Sequence, residues 1–593
     1  MKFSEKVLEK ARIIATECQG HNHAYCATRC PMHTDVIGYV QLIKEGKTEE
    51  ALLKIREKLF LPGCLGRICA HPCEDECRRC KEYNEPMAIA SLKRYAADTA
   101  DKETLWDLTK KEPTGKKVAV IGAGPAGVQA AIDLVREGHS VTVFDKLTVY
   151  GGMMRVGIPA YRLPRHIIDF EYTYAEKLGI EFKMGVEIGK DITFSKLQKD
   201  YEVVIVANGA HKGSQIPTPG DDCGNISNAV DFLKLASLEE RTTLPMHNVL
   251  VIGGGDVAMD CARTSLRLGA EKVYCVALES MDKLPASHHE QVGSLEEGVI
   301  FYAGHGTKNF ESENGVVTGA VVREVISIID EQGRFNPQYR EETKLLKVDT
   351  VIFATGQVVE DVTEGQVPQG RGGRYQIDKD TLETNVPGVF VTGDSAGSNI
   401  VVEAMALGRK VATTADRYMK GLDVREGREF AKEVGYVSAL RIPLPEKVEN
   451  LPRNHTREMA PAERIKTFDE CDFGFDTETA IKEAKRCFKC ECKKCMAECI
   501  MLNKYTTYPG QLFAEMLETE SFEPVIAYSC NMCDQCTLVC PEEYKFAELF
   551  GAMRIDMVKE NKGNSPMPGH SSINMHQLLG FSKIFSTRRK GGK

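Results

Sequence analysis

The sequence predicts an α/β core flanked at both ends by α-helical domains. Two observations carry this. Through the middle of the chain, strand-like apolar runs alternate with helical stretches: "VAVIGAG", "SVTVFD", "VVIVANG", "NVLVIGGG", "KVYCVAL", "TVIFATG" and "VFVTGD". That is the pattern of parallel sheets with crossover helices. Before and after this region the chain reads as helices joined by cysteine-bearing loops. "TDVIGYVQLIKEGKTEEALLKIREKL", for example, places apolar residues at three-to-four spacing.

The 593 residues suffice for about three to five domains. A formal charge of −9 argues against nucleic acid or an anionic membrane surface as partner. The basic end "STRRKGGK" reads as a short solvated tail. "MKFSEKVLEKARIIATEC" has no signal-peptide pattern, and no window reaches the ~18 apolar residues of a spanning helix. A cytoplasmic protein without membrane insertion is expected. Of 21 cysteines, eight lie between Cys18 and Cys80 and nine between Cys487 and Cys540. Cys223, Cys261, Cys275 and Cys471 stand alone. Clustered thiols in a reducing compartment argue for metal rather than disulfides.

The first strand–turn–helix unit is "KKVAVIGAGPAGVQAAIDLVREGHSVTVFDK". Gly122, Gly124 and Gly127 allow a tight turn, close approach of a pyrophosphate and close helix–strand packing. The helix start offers N–H donors to phosphates. Asp145 ends the next strand, where an acid can bond a ribose hydroxyl. The second unit, "HNVLVIGGGDVAMDCARTSLRLGAEKVYCVALES", repeats this with Gly253, Gly255, Asp256 and Ala258, followed by Glu279. No short repeat is visible beyond this twofold unit.

At the far end, "CNMCDQCTLVCP" places Cys530, Cys533, Cys536, Cys540 and Pro541 in the ferredoxin spacing C-x2-C-x2-C-x3-C-P. Zinc ribbons normally use two separated C-x2-C pairs. "KRCFKCECKKCMAEC" is the partner run. In a crossed two-cluster arrangement Cys499 joins Cys530, Cys533 and Cys536. Cys540 then joins Cys492, Cys495 and one upstream thiol, Cys487 or Cys490; the reading leans to Cys490.

Residues of roughly 15–425, above all "YGGMMRVGIPAYRLPRHIIDFEYTYAEKLGIEFKMGVEIGKDI", resemble the glutamate synthase small-subunit family. That family includes the N-terminal half of dihydropyrimidine dehydrogenase and the large subunit of the bifurcating ferredoxin–NADP transhydrogenase. The resemblance implies two Rossmann-like dinucleotide-binding domains of the two-dinucleotide flavoprotein type, between N-terminal and C-terminal α-helical iron–sulfur domains. It implies an iron–sulfur domain at 1–112, FAD-binding parts at 113–245 and 350–425, and an inserted NAD(P)-binding domain at 246–349. A Pro-rich connector at 426–480 leads to a two-cluster ferredoxin-like domain at 481–593.

By the same resemblance, Gly152, Arg155, Thr355, Gly356, Gly393, Asp394 and Val401 join the first fingerprint around FAD. Asp394 stands where the superfamily's aspartate bonds the ribityl chain. Arg162 and Arg165 fall in the flavin-proximal segment, with a surface role an equal reading. His288 and His289 read as solvated polar residues.

Two departures stand out. NADPH-using members carry an arginine pair after the second strand of the nicotinamide domain; here Leu278 and Glu279 stand there. A carboxylate repels a 2′-phosphate, which favours NAD(H) over NADP(H). In the N-terminal cysteine pattern, Cys18, Cys26 and Cys30 match, but His21 replaces a cysteine. One [4Fe–4S] cluster would use Cys30, Cys69, Cys73 and Cys77. A second would begin with Cys18 and Cys26, and either His21 with Cys64 or Cys80 completes it or it is absent. The distal ligand of relatives is replaced by Lys93, whose ammonium cannot ligate iron. Three to four clusters are expected.

The implied function is NAD(P)H-dependent electron relay through FAD and clusters to ferredoxin or a partner subunit of a larger, potentially bifurcating complex. The alternatives are a glutamate synthase small subunit and a non-catalytic electron-wiring subunit. No acid–base residue is required, because FAD itself takes the hydride.

Overall fold

The computed structural model describes residues 3–18, 25–238, 247–425, 450–490, 494–540 and 543–580. Two five-stranded parallel sheets form its centre. In the first, the spatial order is Val389–Val391, Val203–Val206, Lys117–Ile121, Ser140–Asp145 and Glu181–Met184. Val118 pairs with Val141 on one side and Val203 on the other. The central strands read as apolar runs because both faces are covered, one by helices and the other by the short helix Phe194–Asp200 with Val359, Val367 and Tyr375. Helices Pro125–Arg136 and Val401–Met419 lie along each other on one face. Their close approach depends on Gly408, whose Cβ would stand 2.3 Å from the carbonyl oxygen of Ala126.

The second sheet runs Ile226–Asn228, Thr350–Phe353, Asn248–Ile252, Lys272–Ala277 and Ile300–Ala303. An antiparallel sheet of His305–Glu313, Val316–Ile329 and Phe335–Leu346 extends this domain. The chain crosses between the two parallel sheets through a short ribbon, in which Lys212–Gly213 pairs with Gln357–Val358. The domain expected to bind the nicotinamide is thus an insertion, joined at one edge.

The two helical ends do not fold as separate modules at 1–112 and 481–593. Helix Glu5–Glu17 leaves the other N-terminal helices and packs on Pro509–Thr519 and Phe546–Glu560. Its buried face is Val7, Ala11 and Ile14, with Cys18 just beyond it. That spacing of three to four is one helical stripe. It packs into a core with Leu512, Phe513 and Met553. Conversely, helix Thr477–Ala484 packs on Val36–Lys44 and Ile89–Ala100. Its Ala480 and Ala484 join the N-terminal core. Each apolar stripe is satisfied at the far end of the chain, so the physical division runs between cores rather than along the sequence.

Candidate functional site

The first fingerprint forms a tight turn into the helix Pro125–Arg136. Gly122 has φ +117°, and a Cβ there would stand 2.2 Å from the carbonyl oxygen of Ala207, so only glycine fits. At Gly124, the residue capping the helix, nothing lies within 4 Å of the Cβ position. Open space facing the N–H groups of a helix start suits a pyrophosphate. At Gly127 a Cβ would stand 2.1 Å from the Gly122 carbonyl oxygen and 3.1 Å from the Val120 side chain, so close helix–strand packing demands glycine. Asp145 accepts the backbone N–H of Ala123 and of Leu147, both at 2.7 Å, and burial raises its carboxyl.

A cavity of about 1030 Å³ opens from this turn. Gly122, Gly124, Asp145 and Gly152 line it from one side, and Gly393, Asp394 and Val401 from another. Burial raises the Asp394 carboxyl, while a 2.8 Å hydrogen bond from the Ser398 hydroxyl acts against the rise. Cys69 and His71 also line the cavity, as do Asp256 and Val257 of the second fingerprint. The open cradle at Gly124, the half-buried Asp145 and Asp394 and the volume of this cavity fit FAD. His211 also faces it; burial, with Lys146 and Lys234 nearby, pushes its imidazole down to about 4, so it is neutral near pH 7. Sequence reasoning missed it, although it follows the C-terminal end of a parallel strand, where ligands of such sheets gather.

The second fingerprint has the same build. Gly255 caps the helix Asp256–Arg267 with nothing within 4 Å of its Cβ position. The Cβ position of Gly253 is 2.4 Å from the Ala354 carbonyl oxygen, and Ala258 is fully buried. Glu279 follows Lys272–Ala277, and its carboxylate lies beside the turn, 3.3 Å from the Cβ position of Gly254. Asp256 accepts two bonds from Ser287. Thr355 and Gly356 sit at the interdomain ribbon, where the Thr355 hydroxyl donates to the Ser214 carbonyl at 2.9 Å.

The three arginines expected near the flavin separate, and of them Arg162 lines the cavity. Arg155 pairs with Asp169. Arg165 donates to the Ser237 hydroxyl at 3.1 Å, and burial lowers its guanidinium to about 10. Arg162 crosses to the other domain, meeting Asp260 at 2.7 Å and Glu290 at 2.8 Å. Against the burial that alone would raise it, Arg162 and Arg263 hold Glu290 well below the usual range. His288 and His289 are exposed at the cavity rim, and His289 lies 3.8 Å from Glu458.

Among the described residues, no three Cys, His, Asp or Glu side chains converge on a single-ion point. The thiols gather instead in wider sets. Cys30, Cys69 and Cys73 lie together with the Lys93 ammonium; burial raises Cys73 well up, and Lys93 opposes it. Cys77, expected with these three, lines a small cavity with Cys26, Cys487 and Cys490. Burial raises the Cys26 thiol, and Cys77, Cys487 and Cys490 raise it further. Cys490, expected in the C-terminal pair, is thus in the N-terminal module. Cys499, Cys530, Cys533 and Cys536 form a further set. Cys18 and Cys495 are buried in the C-terminal core, with Cys540 packed against it. Cys64 is buried against Glu171, away from these sets. His21 and Cys492 lie outside the described residues. Groups of buried thiols, which ionise only against a cation, fit iron–sulfur clusters.

Comparison with known proteins gives three findings. Residues 116–415 match the pyridine nucleotide-disulphide oxidoreductase family model. Residues 3–105 and 464–549 match the 4Fe–4S cluster model of dihydropyrimidine dehydrogenase domain II. Among relatives, the NADP(+)-dependent formate dehydrogenase subunit beta of Moorella thermoacetica is 37% identical, over 79% of this chain and 70% of its own. The NADPH-Fe(3+) oxidoreductase subunit beta of Geobacter sulfurreducens is 32% identical, over 79% and 75%. The glutamate synthase [NADPH] small chain of Azospirillum brasilense is 32% identical, over 71% and 90%.

Proposed function

Because the chain belongs to the pyridine nucleotide-disulphide oxidoreductase family, we propose that it relays electrons from NAD(P)H through FAD and iron–sulfur clusters to a partner redox subunit or ferredoxin. The observation that carries this is the shared cavity. One continuous space is walled by the first fingerprint, by the second fingerprint's helix start, and by Cys69 of a thiol set. When bound, FAD takes a hydride with its two electrons and hands them on singly to clusters.

The chain's residues supply placement. The helix starts at Gly124 and Gly255 receive the two pyrophosphates. Arg162, bonded to Asp260 within the second fingerprint's helix, fixes the nicotinamide-type domain against the flavin-type domain. His211, neutral near pH 7, adds no charge to the cavity wall.

Relatives named as subunits of larger enzymes support a hetero-oligomeric setting. Clustered cysteines suit a reducing compartment such as the cytoplasm; among the described residues no helix is long and apolar enough to cross a membrane. The relatives' names carry NADP. The residues here argue for NADH: Glu279, not an arginine fork, stands beside the second turn.

The glutamate synthase reading predicts glutamate formation on mixing with a glutamine-dependent large subunit. The C-terminal thiol sets, an added exit for electrons, favour the relay. The test is anaerobic: NAD(P)H should bleach the flavin, and added ferredoxin should then be reduced. Failure of both nucleotides to bleach the flavin would leave only an electron-wiring role.

A further inference from the structure

We propose that the two iron–sulfur modules exchange ligands reciprocally: Cys487 and Cys490 complete a four-thiolate cluster site with Cys26 and Cys77 in the N-terminal module, and Cys18 takes up the vacated place in the C-terminal module beside Cys495 and Cys540. The inference rests on the proposal above that these thiols carry clusters.

Three independent features of the fold support it. The first is the shared cavity, walled by Cys26, Cys77, Cys487 and Cys490 with Val36 and Val40. Two of these thiols are more than 400 residues from the other two in sequence.

The second is how Cys487 and Cys490 are carried there. The helix Thr477–Ala484 precedes them, and buried polar bonds fix its end to the N-terminal module. Glu483 is fully buried and accepts the Ala88 N–H at 2.8 Å. Arg486, 2% exposed, donates to the carbonyls of Pro86 at 3.1 Å and Glu85 at 2.9 Å. Arg79 returns a bond to the Arg486 carbonyl at 3.2 Å and lies 4.6 Å from the Phe488 ring centroid. Phe488 stands between the two cysteines, so both are delivered by one anchored turn.

The third is the reverse exchange. Helix Glu5–Glu17, which ends at Cys18, is held to the C-terminal module by its buried stripe and by Ser4, whose N–H and hydroxyl both bond Asp556, at 2.9 and 2.6 Å. The Cβ of Cys18 is 3.0 Å from the Cβ position of Gly510, inside that module. Cys18 is therefore separated from Cys26 by the same exchange that brings Cys487 and Cys490 to Cys26.

The exchange orders the sets in a line. Cys30, Cys69 and Cys73 abut the flavin cavity through Cys69. Cys26/Cys30 and Cys73/Cys77 tie this set to the exchanged one by four residues, at most about 14 Å between Cα atoms. Cys490 and Cys495 are five residues apart, at most about 18 Å. Cys495/Cys499 and Cys536/Cys540 tie the third set to the fourth by four residues, again at most about 14 Å. The fourth set reaches the surface at Cys533, which is exposed.

The test uses the full chain, purified anaerobically, with iron counting and cluster EPR. Cys26→Ser, Cys77→Ser, Cys487→Ser and Cys490→Ser should each lose the same EPR signal and about a quarter of the iron. Cys18→Ser should share its lost signal with Cys495→Ser. Cys80→Ser should keep all the iron. If Cys487→Ser and Cys490→Ser instead lose the signal lost by Cys495→Ser, the exchange is wrong. In case a variant does not fold, the wild-type holoprotein is oxidised stepwise and its freed thiols alkylated. Cys26, Cys77, Cys487 and Cys490 should become reactive in one step, and their release in separate steps would overturn the exchange. Wild-type protein without iron would sink the cluster reading itself, which is a different outcome.

Discussion

The residues at the two glycine turns were legible in the sequence because their requirement is local. A strand, a turn with a left-handed glycine and a helix start fall within some twenty residues, and the Ala207 carbonyl explains Gly122 completely. Glu279 is legible for the same reason, being the acid at the end of the next strand. It yields a direct prediction: Glu279→Arg should turn a preference for NADH into one for NADPH. A carboxylate beside the ribose accepts its 2′-hydroxyl and repels a 2′-phosphate, whereas a guanidinium reverses both effects. Each is an interaction to a charged group worth about 1.5–3 kcal/mol, so the ratio of kcat/KM for the two nucleotides should move by at least about tenfold. Anaerobic flavin bleaching with each nucleotide measures it. Preference for NADPH in the unaltered chain would show that another group holds the phosphate. The thiols behaved differently. Spacing singled out the two cysteine-rich stretches but not which thiols gather with which, because a C-x2-C pair specifies two neighbouring corners and leaves the partners open.

At the scale of elements, strands and crossover helices could be read from apolar runs, since a strand buried on both faces has one possible setting. Residues 305–346 were not resolved into their antiparallel sheet. Val316–Ile329 alternates buried and exposed positions, a signal that was present but weaker than the neighbouring glycine motifs. The exchanged helices were beyond reach for a physical reason. An apolar stripe such as Val7, Ala11 and Ile14 says that a face must be buried and is silent on what covers it. The helix Thr477–Ala484 shows what adds specificity: a buried ion pair whose spare bonds reach another module's backbone. Arg486→Leu would leave the buried Glu483 without its charged partner and the Glu85 carbonyl without its donor. Breaking a buried pair from one side costs about 3–5 kcal/mol. We expect the EPR signal of the Cys26 set to be lost while flavin content, which depends on the parallel sheets, is kept. An unchanged signal would mean that apolar packing alone holds this helix.

At the scale of the whole molecule, the inserted domain is joined covalently only by the ribbon of Lys212–Gly213 and Gln357–Val358, which by itself would let it swing. What opposes swinging is a buried charge network built from three stretches of chain. Arg162 of the flavin-type domain bonds Asp260 and Glu290. Arg263 joins Glu290 and Glu297, and Arg267 joins Glu297, with Tyr161 beneath its guanidinium at 3.8 Å. Arg464, arriving from the segment that leads to the exchanged helix, closes it through Glu297 at 2.9 Å and Glu458 at 2.9 Å. The same stretch of chain that delivers Cys487 and Cys490 therefore also fixes the nicotinamide-type domain, and the hydride-accepting geometry is tied to the assembly of the cluster line. Arg464→Leu tests this link. Glu297 keeps Arg263 and Arg267, so the fold should persist with its flavin, but the domain loses its outer strap. Small displacements of a bound donor cost reaction rate steeply, so anaerobic stopped-flow bleaching should slow by about 10–100-fold at saturating nucleotide. The concentration giving half the maximal rate should change far less, because the fingerprint itself is intact. A maximal rate within twofold of the unaltered chain would mean that Arg162 and its two acids hold the domain unaided.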